Sequence, residues 1–253
     1  MKNNIIIGLM TLVWLVLMVD IFFGAREEEW IMEDVEKIAK LEVAKYTNQI
    51  MVVAVSKDGA NLCLYERKEL DGNWKNGVKQ ATDENKKEYE ETTWQLVLET
   101  EAIIGKNGLG KTKEGDGKTP VGVFRFTKAF GILENPGAKM EYTQVNKSHY
   151  WVDDSDSNYY NQFVSTEEVS LDWSSAEHIL DYGKSYHYVL ATSYNLERIP
   201  GKGSAVFLHC TSEKSEVTAG CVAVPEVYMR EIMRRVTQDC VLIIDRTENV
   251  LTY

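Results

Sequence analysis

Residues 204–225 read SAVFLHCTSEKSEVTAGCVAVP. An apolar run ends at His209, a polar stretch follows, and a small-residue turn delivers Cys221 into a second apolar run. Short apolar runs bounded by turn-forming residues read as buried strands. The stretch therefore predicts two strands joined by the excursion TSEKSEVTAG, with side chains alternating between faces. His209 and Cys210 then point to opposite faces, so Cys210 faces away from Cys221. Three readings of His209 and Cys221 stay open on these residues: nucleophile and base, a pair of metal ligands, or two packed core residues.

The flanking sequence repeats the strand pattern. IMVVAVS (50–56) and NLCLYER (61–67) flank KDGA, an Asp-Gly hairpin signature. WQLVLETEAIIG (94–105), VGVFRF (121–126), YHYVLAT (186–192) and CVLIID (240–245) read as further strands. Between the last two apolar runs PEVYMREIMRRVTQ (225–238) reads as a short helix. Pro225 suits its first turn, and Tyr228, Ile232 and Val236 fall on one face. Residues 68–93 are polar and rich in Lys and Glu, a solvated excursion. No internal repeat is present. The domain is thus expected to be mostly β, an α+β chain with a few short helices.

The first residues differ in kind. Ile5 to Phe23, IIIGLMTLVWLVLMVDIFF, is apolar apart from Gly8, Thr11 and Asp20. That approaches the ~20 residues a helix needs to cross a bilayer, and Asp20 lies near one end, where a charge reaches the headgroups. Phe23 occupies a position where signal cleavage wants a small residue, which favours an uncleaved anchor over 1–24. No cysteine follows closely enough for a lipoprotein. Lys2 at the amino terminus favours a cytoplasmic start and an extracytoplasmic remainder. Residues 25–48 carry Ile31, Val35 and Ile38 at helical spacing. They either hold the domain 49–253 off the membrane or form its first helix.

The formal charge is −11, and Lys2 and Asp20 cancel, so the acidity belongs almost wholly to the exported part. There is no basic tract or aromatic-basic stripe, which excludes nucleic acid as an expected partner. The four cysteines, Cys63, Cys210, Cys221 and Cys240, are too few and too irregular for a disulfide framework. Eight of the thirteen tyrosines lie between Tyr142 and Tyr194; core packing is a simpler account of them than a binding groove.

Zinc fits poorly, because adjacent His209 and Cys210 diverge and no Cys-x-x-Cys or His-x-x-x-His accompanies them. A nucleophile needs more support than spacing gives. A free thiol near pKa ~8.5 is mostly protonated at neutral pH, and an imidazole within about 3 Å can take its proton. Gly220 before the thiol leaves the backbone uncluttered, with the Gly220 and Cys221 amides as candidate oxyanion donors.

A wider pattern singles out this chemistry. GDGKTPVGVFRF (115–126), preceded by GKNGLG and followed by GKGSAVFLHC and TAGCVAVP, resembles the YkuD-type L,D-transpeptidase catalytic domain. WVDDSDSNYYNQFV (151–164) and SAEHI (175–179) resemble segments of one branch of that family, the branch with a TAGC cysteine motif. The resemblance implies a β-sandwich-like domain in which Cys221 is the nucleophile, His209 its base and Gly220 the turn that presents the thiol. It implies acyl transfer on peptidoglycan stem peptides with no cofactor and no metal. The thiolate attacks the carbonyl of the third stem residue, usually meso-diaminopimelate, terminal D-alanine leaves, and an amine resolves the thioester. Resolution by water instead makes the enzyme an L,D-carboxypeptidase.

The chain departs from the common family pattern in three places. Ala219 stands where a His is usual, Ala223 and Val224 stand where Arg or Asn is frequent, and the His-to-Cys spacing is short. Rival readings fit less well. A sortase needs an arginine on a later strand, papain-like wall hydrolases reverse the order of Cys and His, and a non-catalytic wall-binding domain has no use for the pair. His149, His178 (on a short helix) and His187 (on a strand face) read as structural. Asp153, Asp154 and Asn161 read as a solvated loop near the groove, and Asp116 with Gly117 as a turn.

Overall fold

The computed structural model describes residues 35–68, 74–75, 78–79, 93–212 and 216–253. The expected anchor 5–23 and nearly all of the polar excursion lie outside the described residues, among which no helix is long and apolar enough to cross a membrane. The predicted helix of 25–48 is seen from residue 35: a helical turn over 35–39, then a 3-10 turn at Glu42–Lys45.

Each apolar run read as a strand from residue 50 onward becomes one. β1 (Gln49–Ser56) and β2 (Gly59–Lys68) form the expected hairpin, with Ser56 opposite Gly59 and Lys57-Asp58 as the turn. A minimal hairpin β3–β4 (Trp74–Lys75, Val78–Lys79) precedes β5 (Thr93–Ala102) and β6 (Gly122–Gly131). Then come β7 (Tyr142–Gln144), β8 (His149–Val152), β9 (Phe163–Ser165) and β10 (Ala176–His178). The chain finishes with β11 (Val189–Thr192), β12 (Phe207–Cys210), β13 (Val222–Val224), the helix Glu226–Arg235 and β14 (Val241–Arg246).

The main sheet runs β13-β12-β11-β6-β14-β1-β2-β5, with β7 beside β6, and β10-β8-β9 form a small separate sheet. The sandwich-like core is made by one sheet folding over on itself. Its two ends meet just past β5, where Ile103 and Ala223 exchange both backbone hydrogen bonds at 2.8 Å. Closure of this kind removes the unpaired edges that open sheets must protect.

Period-two alternation sorts the side chains. Met51, Val53, Leu62, Leu64, Leu208, Cys210, Leu242 and Ile244 point inward, where the helix contributes Met229, Ile232 and Met233. The sequence reading of that helix face needs correcting: Tyr228 is exposed, and Met229 takes the buried position. The intervening residues point outward into two satellite cores. On one side Ile50, Val52 and Ile243 cover Ile38, Leu41 and Ala44, so the N-terminal turns pack as part of the domain. On the other, Val189, Ala191, Phe207 and Cys221 meet Trp151, Ile179 and Tyr186. Phe207 is fully buried there, worth about 2–3 kcal/mol of apolar transfer.

Two histidines sit elsewhere than their sequence context implies. His178 ends β10, and His187 closes a 3-10 segment, Ile179–Tyr186, just before β11. β10 has three residues, too few for alternation to register in the sequence, and Gly183 at φ 51° breaks any regular helix between them.

Candidate active site

β12 and β13 run parallel, with Leu208 opposite Val222 and His209 opposite Ala223. Cys221 precedes β13 and extends this register to face Phe207. His209 and Cys221 are therefore diagonal neighbours on the outward face of the sheet, and both line one cavity of about 430 Å³. Each is 9% exposed. Cys210, one residue from His209, lies in the inner core with its thiol toward the Tyr188 carbonyl, as alternation requires.

The turn before the thiol is built tightly. Gly220 has φ +148°, and a Cβ there would lie 2.8 Å from the Lys118 carbonyl oxygen, so any side chain collides with backbone. The Thr218 hydroxyl donates to the Cys221 carbonyl at 2.7 Å and accepts from the Gly220 amide at 3.1 Å. Of the two candidate oxyanion donors, the Gly220 N–H is thus engaged by Thr218, and the Cys221 N–H is the freer.

The thiol itself donates to the Ala205 carbonyl at 3.1 Å and accepts from the Phe207 amide at 3.3 Å. Ala205 adopts φ 51°, an uncommon backbone state for a non-glycine residue. Asn161 holds it there: its side-chain oxygen accepts from the Ala205 amide and from the Trp151 indole. Asn161 therefore works behind the site, and Asp154 is a turn staple that accepts from Asp156 and Ser174. Asp153 does line the cavity.

His209 Nδ1 lies 2.8 Å from the Cys210 carbonyl oxygen. A carbonyl can only accept, so Nδ1 carries the proton and the neutral ring leaves Nε2 as its basic nitrogen. A backbone carbonyl orients this imidazole in place of a side chain. Burial lowers the His209 pKa to about 4, against the opposing pull of the Cys210 and Ser185 carbonyls. Burial likewise raises the Cys221 thiol to about 12, with the Glu177 charge adding to it. The resting pair is neutral thiol beside neutral imidazole, and no hydrogen bond joins the two among the described residues.

Other groups reach the cavity or brace it from distant segments, and the sequence assigned none of them a role in it. The Lys111 ammonium sits 3.1 Å from Asp116 in a pair whose side chains are 4% and 6% exposed. Burial works against the Asp116 carboxylate, but the amides of Thr112, Lys118 and Lys113 and the Lys111 ammonium outweigh it and hold its pKa far below the usual range. Asp116 is thus the staple of the expected turn, beside Gly117 at φ +68°. Glu114 accepts from Tyr160 at 2.7 Å and from Ser204 at 3.0 Å. Glu177 accepts from Tyr186 at 2.7 Å, and the Tyr186 ring meets His209 edge-on at 5.4 Å.

The remaining histidines line no part of this cavity. His149 stacks on Phe163, His178 bonds the Lys147 carbonyl, and His187 pairs with Glu226 at 2.9 Å. Cys63 and Cys240 form no disulfide among the described residues and lie away from the cavity.

A curled, closed sheet with a thiol, an oriented imidazole and a glycine turn at a shared cavity defines a cysteine–histidine site on a mostly β domain. The YkuD family model, the L,D-transpeptidase catalytic domain, matches residues 82–244, and the chain belongs to that family. Among solved structures, the chain is similar to the helical cell shape determining protein Pgp2 from Campylobacter jejuni, at 16% identity and a TM-score of 0.39. A lysine-to-alanine mutant of Pgp2 gives 17% identity and the same TM-score. Each alignment covers 79% of this chain and 48% of the other, so the chain spans about half the length of Pgp2. No curated protein sequence matches the chain.

Proposed function

We propose that the protein is a peptidoglycan L,D-transpeptidase whose nucleophile is Cys221 and whose base is His209. The observation that carries this reading is the shared cavity: register and alternation put both side chains on one sheet face, with His209 Nδ1 held as a donor by the Cys210 carbonyl. A stem peptide enters, and the thiol proton passes to Nε2 as Sγ attacks the carbonyl of the third residue. The Cys221 amide faces the developing oxyanion, which such donors stabilise by about 3 kcal/mol. The imidazolium returns its proton to the departing amine of terminal D-alanine, leaving a thioester on Cys221. An amine of a second stem peptide attacks next, loses its proton to His209 and completes the cross-link. Water in place of the amine gives a carboxypeptidase on the same thioester.

The neutral resting pair fits a base that acts only once substrate is bound, in place of a standing ion pair. Residues 5–23 anchor the chain as a single membrane pass, which puts the domain on the extracytoplasmic side where stem peptides are found. The test is incubation of the full chain with disaccharide-tetrapeptide. Release of D-alanine that vanishes in Cys221→Ala is expected, and mass spectrometry of the products separates cross-linked dimer from tripeptide. D-alanine release that persists in Cys221→Ala, or never occurs, sinks the proposal.

A further inference from the structure

The cavity holds more acid than the thiol chemistry needs. Glu114, Asp153 and Glu177 line it together with Cys221, and the lining cation, Lys111, has its ammonium paired to Asp116. The Glu114 carboxylate is engaged by two hydroxyl donors. The other two carboxylates are differently placed. Asp153 Oδ1 is buried without a hydrogen-bond partner among the described residues, a costly state for a carboxylate oxygen. Glu177 is held by the Tyr186 phenol and stands close enough to Asp153 and to Cys221 for each charge to oppose the others.

Lys111 favours the thiolate, but burial and the Glu177 charge outweigh it, so the arrangement works against the thiolate until a further cation enters. A positive group between Glu177 and Asp153 gives the orphaned oxygen a donor and offsets the charge that opposes the thiolate. That relief is needed when Sγ attacks, which is when the acyl donor, and not the later acceptor, fills the cavity. We propose that Glu177 and Asp153 form an ammonium subsite for the acyl donor, making Glu177 a specificity-determining residue that selects a positively charged side chain on the residue Cys221 attacks. The inference rests on the acyl-transfer reading above.

Burial raises the Glu177 carboxyl to about 7, and the nearby Asp153 and Glu114 charges add to it while the Tyr186 and Tyr182 hydroxyls oppose it. Lys111 and His209 complete the ionisable lining. Ammonium binding requires the ionised carboxylate, so affinity for a cationic donor rises from pH 6 to 8.

The test uses the full chain carrying Cys221→Ala, so that binding is read without turnover. Calorimetry compares two disaccharide-tetrapeptides, one with the third-residue side-chain amine free and one with it acetylated. The free amine is expected to bind roughly tenfold tighter or more, the scale of one charge-assisted hydrogen bond. Adding Glu177→Gln should reduce that ratio to within about twofold and abolish its rise with pH. If Glu177→Gln does not fold, Asp153→Asn is read the same way. Equal affinity for the two forms, or a ratio that survives Glu177→Gln, overturns the subsite. Equal D-alanine release from both forms by the native chain also overturns it but leaves the acyl-transfer reading standing. No binding and no release with either form sinks both.

Discussion

Cys210 and Cys221 are two buried thiols on opposite faces of the same pair of strands. Burial pushes both to about 12. Cys210 is surrounded by the inner core and does not line the cavity that Cys221 meets beside an oriented imidazole and a glycine turn. The difference teaches that thiol acidity does not separate these two cysteines; the face of the sheet that carries each one does, and the pleat decides that one residue at a time.

The sharpest way to break the comparison is substitution of each thiol. Cys221→Ala should lower D-alanine release by roughly 10³-fold or more, the scale seen when a nucleophile is removed. Cys210→Ala should leave release within about twofold and cost only about 1 kcal/mol in denaturant unfolding. Alkylation extends the contrast: in the free protein Cys221 should react slowly at pH 7 and faster as pH rises, because its resting form is the neutral thiol. Cys210 should react only on unfolding. Fast Cys221 alkylation at pH 6 that is lost in His209→Gln would instead establish a standing ion pair.

Next in size is the staple beneath the active turn. Asp116→Ala leaves the Lys111 ammonium buried without its partner, which should cost about 3 kcal/mol of unfolding free energy. The native contribution is present above the ordinary aspartate range and lost as pH falls below it, since the folded carboxylate is held low. An Asp116→Ala chain as stable as the native one at pH 7 would dismiss the staple.

The acid limb sharpens the picture of the outward face. His209 titrates near 4 when folded and 6.5 when free, so the unfolded chain binds the extra proton in that window. Stability should fall by about 3 kcal/mol as pH drops from 6.5 to 4. Glu177 runs the other way: its raised carboxyl takes up a proton in the folded state first, so its contribution grows as pH falls from 7 toward 4.5. Acid unfolding should therefore be flatter in His209→Gln and steeper in Glu177→Gln. In Gly220→Ala the Lys118 carbonyl and the backbone state together should cost about 1–3 kcal/mol in denaturant unfolding.

Legibility in the sequence followed the range of the interactions. Strands announced themselves as apolar runs, and alternation alone separated His209 from Cys210, while it took the register of β12 on β13 to bring His209 and Cys221 to one face. Gly220 was readable as a turn residue, though its near collision with Lys118 was not, because the two are far apart along the chain. Glu177 lies inside SAEHI, a stretch marked only by resemblance and with no role assigned, and Tyr186 and Lys111 carry no local signal. They enter the cavity because a three-residue strand, a kinked 3-10 segment and a stapled loop converge on it, and closure of the sheet brings those pieces together. The carbonyl that orients His209 belongs to the next residue, so no side chain in the sequence advertises it.

The bridge between Ile103 and Ala223 has a consequence for how a peptide can be held. β13 is hydrogen-bonded to β12 on one flank and to residues 103–106 on the other, where Lys106 and Ile104 also bond Thr218. A peptide substrate of the proposed activity therefore finds no open backbone ladder beside Cys221 and cannot lie down there as an added strand. Recognition passes to side chains, which read charge and branching where a ladder would read only an extended main chain.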